Sequence, residues 1–153
     1  MNDYTVKKIN NDSIKNIFGE LSALDRICVG TEGWSARDFY DEAAKDGGIV
    51  LAMMDGERVI GAVAGFTASD TGEILTVATH PDYRRQGIAD RLLAEFFSLV
   101  PDETENIALE VRSSNSAAIS LYTKFGFEKM GIRKRFYRDP VEDADIMVKT
   151  IKR

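Results

Sequence analysis

Two short stretches carry the side chains best suited to chemistry. In the first, Glu110 interrupts the apolar run Ile107-Ala108-Leu109 and Val111. A carboxylate in a central strand must be paired, protonated or used. Burial would raise its pKa toward the range of a general base. The competing reading leaves Glu110 at a strand end, facing water or pairing with Arg112. Tyr122 follows Asn115 by seven residues, about two helical turns, so both can face one side of a helix. Core packing with Ala118 and Phe125 would account for Tyr122, and an N-cap for Asn115, without excluding chemistry at either.

In the second stretch, Arg84-Arg85-Gln86-Gly87-Ile88-Ala89 links Thr76–Thr79 and a His80-Pro81 turn to an apolar-periodic segment through Ile88, Leu92, Phe96 and Leu99 or Val100. A strand, a small-residue loop and a helix N-terminus form an anion site, because the first amides of a helix are unpaired and its dipole favours negative charge. Gly87 lets a phosphate approach the main chain, and Ala89 intrudes by one methyl group. An ordinary strand-to-helix connection with exposed arginines is the competing reading. Gly-Lys-Ser/Thr is missing, and no Gly-x-Gly-x-x-Gly follows a strand, so ATP and dinucleotides lose ground.

The remaining candidates read as structural. Cys28 ends an apolar-periodic segment with no His near it in sequence, so it reads as a buried thiol acting as a small hydrophobe. One His and one Cys leave no clustered ligand set, so no metal is expected. His80 reads as a turn residue and Trp34 as a packing anchor. Arg133-Lys134-Arg135 with Arg138 reads as the solvated face of a hairpin.

Several elements must position these groups. Tyr4 to Ile9 reads as a short strand. Asp12 or Ser13 caps a helix whose Ile14, Ile17, Phe18, Leu21, Leu24 and Cys28 fall at helical spacing. Gly30 and Gly33 break it, and Ser35 with Asp38 forms a capping box for a helix to about Ala44. Gly48–Met54 is a continuous apolar run, Asp55-Gly56 a hairpin turn, and Arg58–Phe66 the returning strand. Glu73–Thr79 follows as a third antiparallel strand. From His80 the order is helix (Gly87–Val100), strand (Ile107–Val111), helix (Ser116–Phe125) and an extended segment from Phe127. Gly126 reads as the left-handed terminator of the second of these helices. Asp139-Pro140 and Glu142-Asp143 break the last stretch before a final strand, Ala144–Ile151. The pattern predicts one α/β (α+β) domain over residues 1–153, with a mixed, mostly antiparallel sheet of about seven strands and helices on both faces.

The 20 basic against 25 acidic residues give a formal charge of -5, which argues against nonspecific binding to nucleic acid or an anionic membrane. No apolar run is long enough for a bilayer, and no signal-peptide core is expected at the N-terminus. A single Cys cannot form an internal disulfide, so a reducing cytoplasm is the expected compartment. Oligomeric state is not readable from the sequence.

Arg84-x-x-Gly87-x-Ala89 after Thr76-Val77-Ala78-Thr79 resembles the acetyl-CoA pyrophosphate loop of the GNAT N-acetyltransferases. The likeness extends over nearly the whole chain. Leu109 to Tyr122 with Phe125-Gly126-Phe127 is similar to the bacterial enzymes that acetylate the N-terminal alanine of a ribosomal protein. Gly33-Trp34-Ser35, Phe136-Tyr137 and Glu142-Asp143-Ala144 extend the match. Gly33 stands where that group usually has Pro, and Thr79-His80-Pro81 lacks a frequent Asp.

The resemblance implies acetyl-CoA as co-substrate and no metal. It implies that amides from Arg85 through Gln86, Gly87 and Ile88 to Ala89 hold the pyrophosphate, beside Arg84. The backbone of Val77 and Thr79 would pair with the pantetheine arm, and Asn115 would bond it. Glu110 would accept a proton from the acceptor amine through water, and Tyr122 would protonate the departing thiolate. Trp34 and Tyr137 would lie on the acceptor side, where Glu32, Asp38, Asp41 and Glu42 would suit a cationic protein terminus. Tyr near pKa ~10 against a thiol near ~8.5 makes that proton transfer uphill by about 2 kcal/mol. At pH 7 an α-amine is roughly 10% neutral and a lysine amine about 0.04%, so one modest base suits a protein N-terminus better. Direct transfer without an acyl-enzyme is expected, since no activated nucleophile is evident. The alternatives are a small-molecule amine or lysine as acceptor, and a non-catalytic acetyl-CoA-binding regulator.

Overall fold

The computed structural model describes residues 3–10 and 16–151. In chain order the elements are β1 (Thr5–Lys8), α1 (Ile17–Val29), α2 (Ala36–Ala44), β2 (Gly48–Asp55), β3 (Arg58–Ala68), β4 (Thr71–Thr79), α3 (Ile88–Ser98), β5 (Asn106–Arg112), α4 (Ser116–Lys124), β6 (Phe127–Arg138) and β7 (Val141–Thr150). The strands follow the order β1-β2-β3-β4-β5-β7-β6, with β4 and β5 parallel in a mostly antiparallel sheet. The chain forms two compact units: Met1–Phe66 with Thr76–Val100, and Thr67–Leu75 with Pro101–Arg153.

In the first unit the unbroken apolar run of β2 is explained by cover on both sides. Val50, Ala52 and Met54 join Leu21 and Leu24 of α1 and Phe39 of α2 in one buried cluster. Alternation turns Leu51 and Met53 to the opposite side, and Met53 pairs with Gly61 of β3. There a Cβ on Gly61 would lie 2.6 Å from Ile88 Cγ2 and 3.2 Å from Leu92 Cδ1, so α3 packs directly on the strand backbone. Ile88, Leu92 and Phe96 are buried as the periodicity requires, whereas Leu99 lies at the exposed helix end.

Local signals set most boundaries. Ser35 Oγ accepts the Asp38 amide at 3.1 Å and Asp38 Oδ2 accepts the Ser35 amide at 2.9 Å, a complete capping box worth about 1 kcal/mol. The expected caps Asp12 and Ser13, and Ile14, lie outside the described residues, and α1 follows Asn16. The β2–β3 turn sits one residue later than Asp55-Gly56 implies. Asp55 stays paired with Arg58, and Gly56 supplies the left-handed φ of 60°.

The second unit is built on β5, β7 and β6. Ile107, Leu109 and Val111 are buried while Ala108, Glu110 and Arg112 are half-exposed, so β5 covers only one face. Glu110 pairs with Ile146 of β7 in this register, and Arg112 with Ala144. Glu142 and Asp143 do not break the chain as expected but lie inside β7. Their carboxylates are held by donors: Ser114 N–H reaches Glu142 Oε2 at 2.7 Å, and Arg135 N–H reaches Asp143 Oδ1 at 2.9 Å. The turn is confined to Asp139-Pro140. Among the described residues no helix is long and apolar enough to cross a membrane.

Candidate active site

In the first unit, Thr79 ends β4 and a short 3-10 turn, Pro81–Tyr83, follows; His80 caps it by accepting the Asp82 amide at 3.1 Å. The chain then passes through two left-handed residues, Arg85 (φ 64°) and Gly87 (φ 74°), before α3 begins at Ile88. Gly87 has no side chain to cap the helix, and the first intrahelical bond runs from Arg91 N–H to Gly87 O at 3.1 Å. The amides of Ile88 and Ala89 precede that bond, at the positive end of the dipole. A Cβ on Gly87 would meet nothing within 4 Å, so its φ, and not crowding, is what requires glycine. Arg84, Arg85, Gln86 and Gly87 are exposed and Ala89 half-buried.

Arg84 folds back instead of extending freely. Its Nε donates to Thr79 O at 3.3 Å, and Nη2 lies 4.0 Å from Cys28 Sγ. Cys28 is half-buried, not fully buried as expected, and its thiol also donates to Thr79 O, at 3.3 Å. The Thr79 carbonyl therefore already accepts two donors within the protein. Burial pushes the Cys28 thiol up, against the pull of Arg84, so it is protonated near neutrality and no thiolate nucleophile arises. Tyr4 Oη donates to Gln86 Oε1 at 3.0 Å, tying β1's entry to the loop.

Trp34 is clamped through its backbone. Its carbonyl accepts Ser22 Oγ at 2.7 Å, and its N–H donates to Asp25 Oδ2 at 2.8 Å. Its ring packs edge-on against Phe39, with centroids 5.1 Å apart. Asp25 is a structural residue that sequence reasoning missed. It is 2% exposed, and its Oδ1 accepts Thr76 Oγ1 of β4 at 2.6 Å. One carboxylate thus joins α1, the Trp34 turn and β4. The available signal was its place on the apolar stripe, four residues after Leu21 and three before Cys28.

Three of the four carboxylates expected on the acceptor side have partners close by in the chain. Asp38 completes the capping box, Asp41 pairs with Arg37 at 2.9 Å, and Glu42 is buried against Lys45 at 3.2 Å.

In the second unit the structure brings together Glu110, Asn115, Tyr122 and Tyr137. Glu110 is 24% exposed at its side chain and ion-paired, but to Arg133 Nε and not to Arg112. Arg133 stands on the far strand, opposite Ala144 of β7, whose methyl group leaves room for the guanidinium to cross. The basic cluster is accordingly more than a solvated face: Lys134 also pairs, with Asp143 at 3.4 Å. Asn115 is exposed and caps α4, its Oδ1 accepting the Ala118 amide at 3.1 Å.

Tyr122 is buried and packs edge-on against Phe127 at 5.8 Å. Burial, reinforced by the Tyr137 phenol, pushes its hydroxyl above the usual tyrosine range, so it remains a proton donor at any working pH. Tyr137 lies under the Arg112 guanidinium, 4.3 Å from carbon to ring centroid, with Phe136 edge-on at 5.0 Å. Gly126, at φ 96°, terminates α4 as expected. Among the described residues no three His, Cys, Asp or Glu side chains converge as metal ligands.

Taken unit by unit, the first offers an uncapped helix start suited to phosphate, and the second a carboxylate and a protonated phenol. Residues 16–127 match the acetyltransferase (GNAT) family. The chain is 32% identical over 132 residues to the N-alpha-acetyltransferase RimI of Mycobacterium tuberculosis, covering 84% of this chain and 81% of that protein. It is 38% identical over 115 residues to the ribosomal protein bS18-alanine N-acetyltransferase of Escherichia coli strain K12, covering 63% of this chain and 75% of that one. The crystal structure of the ribosomal-protein-S18-alanine N-acetyltransferase from Escherichia coli superposes with a TM-score of 0.82 at 24% identity, covering 98% of this chain and 95% of the other.

Proposed function

The chain belongs to the acetyltransferase (GNAT) family, and we propose that it transfers acetyl from acetyl-CoA to the N-terminal α-amine of a protein, with an alanine-starting ribosomal protein as the favoured acceptor. The observation that carries this acceptor class is the similarity to relatives named for α-amine and bS18-alanine acetylation. The chain is an acetyl-CoA-dependent N-acetyltransferase; the acceptor and the residue roles are the proposal.

In this reading the amides from Arg85 to Ala89 bind the pyrophosphate, with the dipole of α3 and the arginine charges opposing its negative charge. The pantetheine arm adds along Val77 to Thr79, where the Val77 backbone carries the pairing because the Thr79 carbonyl is already bonded to Arg84 and Cys28. Asn115 bonds the cofactor through its amide NH2. Trp34 and Tyr137 contact the acceptor peptide.

Glu110 accepts a proton from the acceptor ammonium, through water, and the free amine attacks the thioester carbonyl. The tetrahedral adduct loses its remaining ammonium proton to water and collapses by breaking the carbon–sulfur bond, giving the acetylated amine and a CoA thiolate that takes up a proton from solvent. Tyr122 serves the departing sulfur as a hydrogen-bond donor. Its raised pKa makes complete proton transfer costlier than the roughly 2 kcal/mol of an ordinary tyrosine, so stabilising the developing charge is its main contribution.

The test is CoA-thiol release with an Ala-starting basic peptide and with its N-blocked form. Release with the free peptide alone is expected. Equal rates with both would remove the α-amine assignment.

A further inference from the structure

Arg112 has no part in the roles above, yet it is among the most engaged side chains of the second unit. It ends β5, two residues after Glu110. Its Nη1 donates to Pro140 O at 2.9 Å and to Glu142 Oε1 at 3.3 Å, and its Nη2 donates to Asp139 O at 3.1 Å. The same guanidinium lies over the Tyr137 ring at 4.3 Å. Glu142 accepts the Ser114 N–H with its other oxygen at 2.7 Å, so one carboxylate joins Arg112 to the turn that leads into Asn115.

The hairpin needs such a brace. The β6–β7 register is interrupted between Arg133 and Tyr137, where Arg135 adopts a φ of 52°. Ladder hydrogen bonds therefore do not carry position continuously out to Tyr137. A guanidinium can fork to several oxygens and stack on a ring at once, which a lysine ammonium cannot.

The geometry points to Arg112 as the positioning residue for the acceptor, locking Tyr137 and the Asp139-Pro140 turn to the strand that carries Glu110. This rests on the reading of Tyr137 as an acceptor contact. Arg112 touches neither the reacting atoms nor the cofactor in this scheme; it acts through Tyr137.

The experiment compares Arg112→Ala and Arg112→Lys by steady-state kinetics and by amide hydrogen exchange of the whole protein. Both variants are expected to raise the peptide KM about tenfold, with kcat within about twofold and the acetyl-CoA KM unchanged, as for a displaced substrate contact. Exchange is expected to quicken at residues 136–141 and not along β5. Rescue of the peptide KM by lysine, or a joint fall in kcat and both affinities, would overturn the assignment. Should Arg112→Ala fail to fold, Arg112→Lys combined with Tyr137→Leu decides: additive effects on the peptide KM would overturn it, and non-additive effects would support it. Exchange needs no acceptor, so the two readings fail separately. An inactive wild type with a quickened hairpin sinks the α-amine reading, and an active wild type with an unchanged hairpin sinks the role of Arg112.

Discussion

Replacing Asp25 by alanine removes the acceptor of two hydrogen bonds at one stroke. Thr76 Oγ1, at 2.6 Å, and the Trp34 amide, at 2.8 Å, would both be left facing a gap beside a residue position that is 2% exposed. An unsatisfied buried donor costs about 1–3 kcal/mol. Both donors are only half-buried, so the lower part of that range applies and the sum is about 2–3 kcal/mol. For a chain of this size roughly 2–4 °C of Tm is lost per kcal/mol, which gives a fall of roughly 5–10 °C. Asp25→Asn keeps the shape: its oxygen can take the Trp34 amide, and its NH2 can donate to Thr76, whose hydroxyl rotates to accept. Only the charge assistance is lost, about 1 kcal/mol. Calorimetry of the two variants, with Thr76→Val to close a double-mutant cycle, measures this directly. A loss under about 0.5 kcal/mol for alanine, or equal losses for asparagine and alanine, would refute the bridging role.

Tyr122→Phe is expected to retain acetyl-CoA binding and to slow turnover; weaker binding with unchanged turnover at saturation would contradict a role at the departing sulfur. Glu110→Gln is expected to lower kcat by about 100-fold or more, the usual range for a general base, with acetyl-CoA affinity measured by calorimetry unchanged. Gly61→Ala places a methyl group 2.6 Å from Ile88 Cγ2, so it is expected to cost about 1–3 kcal/mol in thermal unfolding and to weaken acetyl-CoA binding by shifting the start of α3. The Glu142 carboxyl is held below its ordinary value of 4.5 by Ser114 hydrogen bonds and then by Arg112. Its contribution to stability is therefore complete above that value and lost as pH falls through the lower, folded one. Glu142→Gln is accordingly expected to flatten the acid limb of a stability–pH curve, and an unaltered limb would count against the brace.

Where the sequence was legible, a short-range signal decided the outcome. Ser35 and Asp38 are three residues apart and close on each other as written, and Asn115 caps α4 with its own side chain. The apolar run of β2 was legible as a strand element, and the structure shows it covered on both faces. Other features depend on neighbours far along the chain. Arg133 reaches Glu110 only because β7 lies between their strands and presents Ala144 there, a fact of register and not of spacing. Glu142 and Asp143 look like strand breakers until Ser114 and Arg135 supply amides to their carboxylates. Asp25 sits on the apolar stripe of α1, and only Thr76, 51 residues away, gives a carboxylate there a reason to be buried.

The acceptor assignment is tested most directly by a peptide that offers both amines at once. A basic peptide with a free N-terminal alanine and an internal lysine would be incubated with enzyme and acetyl-CoA, and the acetylated position read by fragmentation mass spectrometry. Acetyl on the α-amine, with the lysine unmodified, is the expected result. Acetyl on the lysine, or transfer only to small amines, would contradict it.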